Sequence, residues 1–274
     1  MMVNMRNSAP RIGESRPVFS TLRLLLPLAM LSGLFATPAA ARCGADVPGV
    51  LFAGCADAVT AQLVLVPDSG VVAQPATGPR ITVTGAYTSG ERREPEGLFI
   101  VAGQALDPYP QGWDGVAVID GVGRLSLHYA GRIDMGNRRF DLRRKASRRA
   151  FADAAETGGW SAFQSHLLVI DGRVDTRPRD GAPRFARRLL YTLADGSVGL
   201  YETPPLTLHD AALAIEAALS PVMAFNLDMG SYDYCRIDGV EARDCGTLAP
   251  GQTAKLSNLL ILSRSGADSV VVAE

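Results

Sequence analysis

The chain of 274 residues carries 27 basic and 28 acidic side chains, a formal net charge of −1, and 47% hydrophobic residues. That balance supplies a core of domain size and no global attraction for a polyanion, so nucleic acid is excluded as an expected partner. Four cysteines and three histidines lack the short Cys-x-x-Cys spacing of a zinc knuckle; no metal is expected, and no organic cofactor is implied.

Arg6, Arg11, Arg16 and Arg23 lead into the apolar run LLLPLAMLSGLFA (24–36) and the small residues TPAAA (37–41). Residues 1–41 thus have the layout of a secretory signal peptide, cut after Ala41, and an exported, periplasmic or secreted protein is expected. The apolar run is too short to span a membrane, and no later stretch reaches spanning length. LFAGC (51–55) has a loose likeness to a lipoprotein cleavage site but lies well past the apolar core, so lipidation is not expected. Removing the leader takes away four arginines and one glutamate, leaving 23 basic against 27 acidic residues, a net of −4. Export permits disulfides, and of the three possible pairings the two local ones, Cys43–Cys55 and Cys235–Cys245, are favoured.

AQLVLVP (61–67), ITVTGAY (81–87), GLFIVAG (97–103), GVAVIDG (115–121), GRLSLHYAG (123–131) and HLLVIDGRV (166–174) read as strands. Each is short, rich in β-branched or aromatic residues, and bounded by Gly, Pro or Asp. A helix is expected over 140–156, within an arginine-dense run. Such a run suits a solvated helix face, or a docking surface for an anionic glycan or lipid headgroup. LADGSVGLYE (193–202) carries an Asp-Gly hairpin signal. Thr207 and Asp210 open a second helix as a capping box, with Leu208, Ala211, Ala212, Ile215 and Leu219 at helical spacing, and Pro221 stops it. KLSNLLILSR (255–264) closes the fold as a strand, and 265–274 reads as a loose, flexible tail. Strands outnumber helices and are seldom joined by them, which predicts an α+β, mainly antiparallel, β-rich single domain.

Between the second helix and Cys235 stands AFNLDMGSYDY (224–234), an apolar strand ending in an acid and a glycine-containing turn. Alone, this suits an Asx turn as well as a ligand pocket. In serial order, however, the pieces from about residue 81 to 262 resemble the phosphodiester glycosidase domain family. TVTGAY (82–87) is similar to its strand ending Asn-x-Gly-x-aromatic, and WDGVAVID (113–120) to its Asn-Gly-Val strand. FQSHLLVIDGRV (163–174) is similar to its Gln-Ser-Gly-Pro strand, RRLLYTLADGSV (187–198) to the strand that begins with Arg, and FNLDMGS (225–231) to its Asn/Tyr-Leu-Asp-Gly-Gly. The resemblance implies one such domain over 42–264. Departures are Val83 for the Asn, His166 for the Gly-Pro, Arg188, Leu189 and Leu190 for small residues, and Met229 for a Gly.

What the resemblance implies is a hydrolase cleaving a sugar phosphodiester, or a related envelope glycan, between the anomeric carbon and the phosphate oxygen. That chemistry needs a carboxylate beside the oxocarbenium-like centre and a cation for the phosphate. Asp228 is the candidate carboxylate and Arg187 the phosphate clamp, with His166 a proton carrier. Gln164, Asn226, Gly230, Ser231, Tyr232 and Asp233 are the candidate substrate-binding residues, and Glu202 is a further acid. Adjacent strand residues face opposite ways, so Ser165 and His166 do not form a hydrolase pair. The departures equally fit a catalytically degenerate glycan-binding or scaffold protein of the cell envelope. Nothing in the sequence specifies an oligomeric state.

Overall fold

A computed structural model describes residues 46–67, 70, 78–90, 92–239 and 242–264. The chain divides into residues 1–38 and 39–274, and every described residue belongs to the second unit. The expected leader, Cys43 and the 265–274 tail lie outside the described residues.

In chain order come β1 (Val50–Gly54), β2 (Val59–Leu65), β3 (Arg80–Val83), β4 (Phe99–Val101), β5 (Gln104–Asp107), β6 (Gly115–Ile119) and β7 (Leu125–Tyr129). A hairpin of β8 (Ile133–Met135) and β9 (Arg138–Phe140) leads to α1 (Lys145–Gly158). Next are β10 (Ser161–Ile170), β11 (Arg173–Val174), β12 (Phe185–Thr192), β13 (Val198–Leu206) and α2 (Leu208–Leu219). The last are β14 (Met223–Asn226), β15 (Cys235–Asp238), β16 (Arg243–Asp244) and β17 (Asn258–Arg264). All strand pairings among the described residues are antiparallel. The α+β class read from the sequence is the class observed.

Ten strands form one sheet whose main path runs β1-β13-β12-β14-β10-β4-β5, and five form a second in the order β16-β15-β3-β17-β2. The sheets pack face to face because each strand alternates. Phe163, Leu167, Leu190, Leu200 and Phe225 of the large sheet meet Leu63, Ile81, Val83, Leu260 and Leu262 of the small one in the main core. Leu51–Gly54 of LFAGC lie in edge strand β1, with Phe52 and Ala53 buried.

Both helices lie on the outer face of the large sheet. α2 starts where expected: the Thr207 side chain accepts from the Asp210 N–H at 3.1 Å, and Ala211, Ala212 and Ile215 are buried. α1 begins five residues later than the predicted start at 140. Residues 138–140 pair instead with 133–135 as a hairpin, Phe140 buried opposite Ile133, and this cross-strand pairing keeps the segment out of the helix. The 81–87 strand likewise ends early, at Val83. There the Asn258 side chain bonds both the N–H and the C=O of Ala86, at 2.8 and 3.0 Å, replacing a strand partner. A side chain at Gly85 would lie 2.9 Å from that Asn258 oxygen, which explains the glycine. Cys235 and Cys245 are joined as expected, and Cys55 is also disulfide-bonded.

Candidate functional site

Strand β10 carries the logic of the site. Ala162 packs in the core under α1 and Leu168 in the core under α2, and period-two alternation puts Gln164 and His166 on the same face between them. Asn226 pairs with both His166 and Leu189, so Arg187, two residues before Leu189, also faces this gap. The uncovered strip between the helices therefore presents His166, Asn226 and Arg187 together.

Two aromatic rings close over it from loops. Tyr87, released from β3 as described, lies 4.7 Å from Trp113 and 5.7 Å from His166 between ring centroids. Trp113 and His166 are 5.6 Å apart, completing a triad of rings. The Tyr87 hydroxyl accepts from the Asn226 side-chain amide at 2.6 Å and also bonds Ser165. Burial raises its pKa to about 12, so it stays protonated. Burial lowers the His166 pKa and Arg187 lowers it further, against the opposing pull of Asp114; the imidazole is neutral at neutral pH.

Arg187 is half-buried, with its Nε donating to the Leu206 carbonyl at 3.3 Å and its guanidinium 5.3 Å over the Phe185 ring. It is near enough to act electrostatically on both Tyr87 and His166. Burial lowers its pKa from the usual arginine value. The buried side-chain oxygen Oδ1 of Asn226 has no hydrogen-bond partner, leaving an acceptor beside the rings.

Asp228 stands just past β14, only 5% exposed, with its backbone N–H on the Gly85 carbonyl at 3.2 Å. Its Oδ2 accepts from the Thr88 N–H at 3.0 Å, and the Met229 backbone bonds it as well. Thr88 is fixed by Ser257, hydroxyl to hydroxyl at 2.8 Å. Desolvation outweighs these donors and pushes the carboxyl up to about 7, with Glu96 adding to the rise.

Other expected ligand contacts are structural. Gln164 is fully buried and its amide is spent on the backbone. Its oxygen accepts from Gln111 and Leu98, at 2.8 and 3.3 Å, and its nitrogen donates to the Gln111 and Trp113 carbonyls. It thereby holds the loop that delivers Trp113. Gly97 makes room: it has φ +76°, and a Cβ there would lie 2.8 Å from the Gln164 oxygen.

Asp233 is buried against Arg188 at 2.8 Å and accepts from the Thr247 N–H at 3.0 Å, so its carboxylate is engaged within the protein. Glu202 holds the other side of Arg188, at 2.7 Å. Gly230, Ser231 and Tyr232 form a 3-10 turn; Gly230 and Ser231 are exposed and Tyr232 faces Lys255. Sequence reading missed Trp113 and gave Tyr87 no role. The available signal was an aromatic at a glycine-flanked strand end in both TGAY and GWDG. Among the described residues no group of three or more His, Cys, Asp or Glu is placed to hold a metal.

No family model matches the chain, and no curated protein matches its sequence. Among solved structures it is similar to the catalytic domain of zebrafish N-acetylglucosamine-1-phosphodiester alpha-N-acetylglucosaminidase, auto-inhibited by its pro-peptide. That likeness has 13% identity and a TM-score of 0.46, covering 73% of this chain and 72% of that one. It is also similar to a hypothetical protein from Synechocystis, at 11% identity and a TM-score of 0.45, covering 81% of this chain and 58% of the other. At this distance neither likeness assigns a role to any residue here.

Proposed function

We propose that the chain is an exported hydrolase of glycosyl phosphodiesters, with the gap between α1 and α2 as its sugar site. One observation carries the reading: three rings, Tyr87, Trp113 and His166, surround the strip that bears Arg187, and a carboxyl of raised pKa, Asp228, ends the neighbouring strand. Aromatic faces suit the apolar side of a sugar, and the tyrosine and asparagine polar groups suit its hydroxyls. The Arg187 guanidinium suits a phosphate. The disulfide Cys235–Cys245 supports export, since such bonds persist in oxidising compartments.

In the proposed reaction Asp228, once ionised, is the general base. A water oxygen bonds to the anomeric carbon as the bond from that carbon to the phosphate oxygen breaks. The water proton passes to Asp228, and the phosphate leaves as a monoester with its added negative charge facing Arg187. Neutral His166 offers a hydrogen bond without adding charge. A base with a pKa of about 7 is matched to neutral operation.

Two backbone donors on the Asp228 carboxyl favour a second reading, glycan binding without turnover. Sugar release from a panel of sugar-1-phosphodiesters, by the wild type and by Asp228→Asn, separates the two. Turnover that the variant loses supports the hydrolase. Equal turnover removes Asp228 from the mechanism. Saturable glycan binding with no turnover by either supports the binding role.

A further inference from the structure

Residues 132–149 contain seven arginines and one lysine against two aspartates, a local charge of +6 in a chain whose net charge is −1. The remaining residues therefore sum to −7. The fold gathers the excess on one side, from the β8–β9 hairpin through the first turns of α1. Arg138, Arg139, Arg143, Arg144, Lys145 and Arg149 are all exposed. Local acids answer only part of it: Asp134 pairs with Arg139, and Asp141 is shared by Arg143 and Arg144. Lys145 and Arg149 have no acidic partner among the described residues.

This basic face borders the gap between the helices. The Ala130 N–H donates to the carbonyl of Asp114, next to Trp113, at 2.7 Å, and the Ala130 carbonyl accepts from Leu142 at 2.8 Å. Arg143 follows at once and reaches the Tyr129 hydroxyl at 3.1 Å. A polymer lying in the gap would run onto the arginines.

We propose that this face is an extended subsite for a polyanionic glycan, holding the phosphates of the units that continue from the one bound against Trp113 and His166; the proposal rests on the phosphodiester reading above. Chemistry selects this partner over a membrane. Phe151, Ala154 and Ala155, the apolar side of α1, are buried against the sheet, and no large exposed hydrophobic residue falls within 132–149. The face can bind charge but cannot insert. Arginine dominates over lysine, and its planar fork suits repeated phosphates. No exposed ring on the face offers a base a stacking surface.

The test uses a poly(sugar phosphate) polymer as probe, with the triple variant Arg144→Gln, Lys145→Gln, Arg149→Gln, whose three side chains are exposed and pack on nothing in the core. Titration calorimetry should show wild-type binding that weakens with salt, and a loss of roughly tenfold or more in the variant. Equal affinity of the variant would overturn the proposal. So would absence of binding by the wild type, or tighter binding of the wild type to phosphatidylglycerol vesicles or single-stranded DNA. The variant should cleave a small sugar-1-phosphodiester as the wild type does. Patch-dependent polymer binding without any turnover would sustain the subsite and sink the hydrolase; turnover without patch-dependent binding would do the reverse.

Discussion

The Asp228 carboxyl is held near pH 7 because its surroundings offer too few donors to replace water. An unfolded aspartate ionises near pH 4, so between about pH 4 and 7 the folded state binds a proton that the unfolded state has lost. Stability contributed at this site therefore falls as pH rises through that window. Asp228→Asn has nothing to ionise, and relative to wild type it should gain on the order of 4 kcal/mol between pH 4 and pH 8. Urea unfolding of both proteins at the two pH values measures this, and an unchanged gap would mean an ordinary carboxyl. The same titration predicts that sugar release rises with pH up to about 7.

Arg188 makes a second case at this scale. Its guanidinium is fully buried between Asp233 and Glu202. Arg188→Leu strands Asp233 in the interior and should cost about 3–5 kcal/mol, part of which Arg188→Leu with Asp233→Asn restores. Denaturant midpoints of the two variants test it. In the sequence Arg188 reads only as a large residue where small ones are expected. Its partners lie 14 and 45 residues away, so nothing local announces the pairing.

Among the elements, those with local signals were readable. α2 is written in a threonine cap and an apolar face, and the β12–β13 hairpin in Asp195-Gly196. The start of α1 was not, because a run of exposed arginines reads the same in a solvated helix as in a short exposed hairpin. Only the pairing of Phe140 with Ile133 separates the two. The site was half readable for a similar reason. Arg187 and His166 sit in strands and Asp228 just past one, each with sequence cues, whereas Trp113 is placed by Gln164, 51 residues away. Gln164 is thus a positioning residue. Gln164→Leu should leave the chain folded, shift the Trp113 fluorescence and raise KM for the sugar substrate more than it lowers kcat. The Cys235–Cys245 bond closes a short loop next to Asp233, and its replacement by alanines should cost about 2–3 kcal/mol in urea unfolding.

For the molecule as a whole, chain order and spatial order disagree in a telling way. β17, the last strand among the described residues, lies inside the five-stranded sheet, between β3 and β2, and puts Leu260 and Leu262 into the main core. A chain ending at Leu256 should lack a cooperative unfolding transition by circular dichroism, because two strands lose their shared neighbour at once.

The strand β10 also decides how this protein can change. Ala162 and Leu168 answer to the helices above, and Phe163 and Leu167 to the second sheet below. His166 answers to neither. A mutational lineage can therefore exchange residue 166, together with Arg187 across the gap, without renegotiating either core. Ligand choice in such a protein can drift quickly while its architecture stands still.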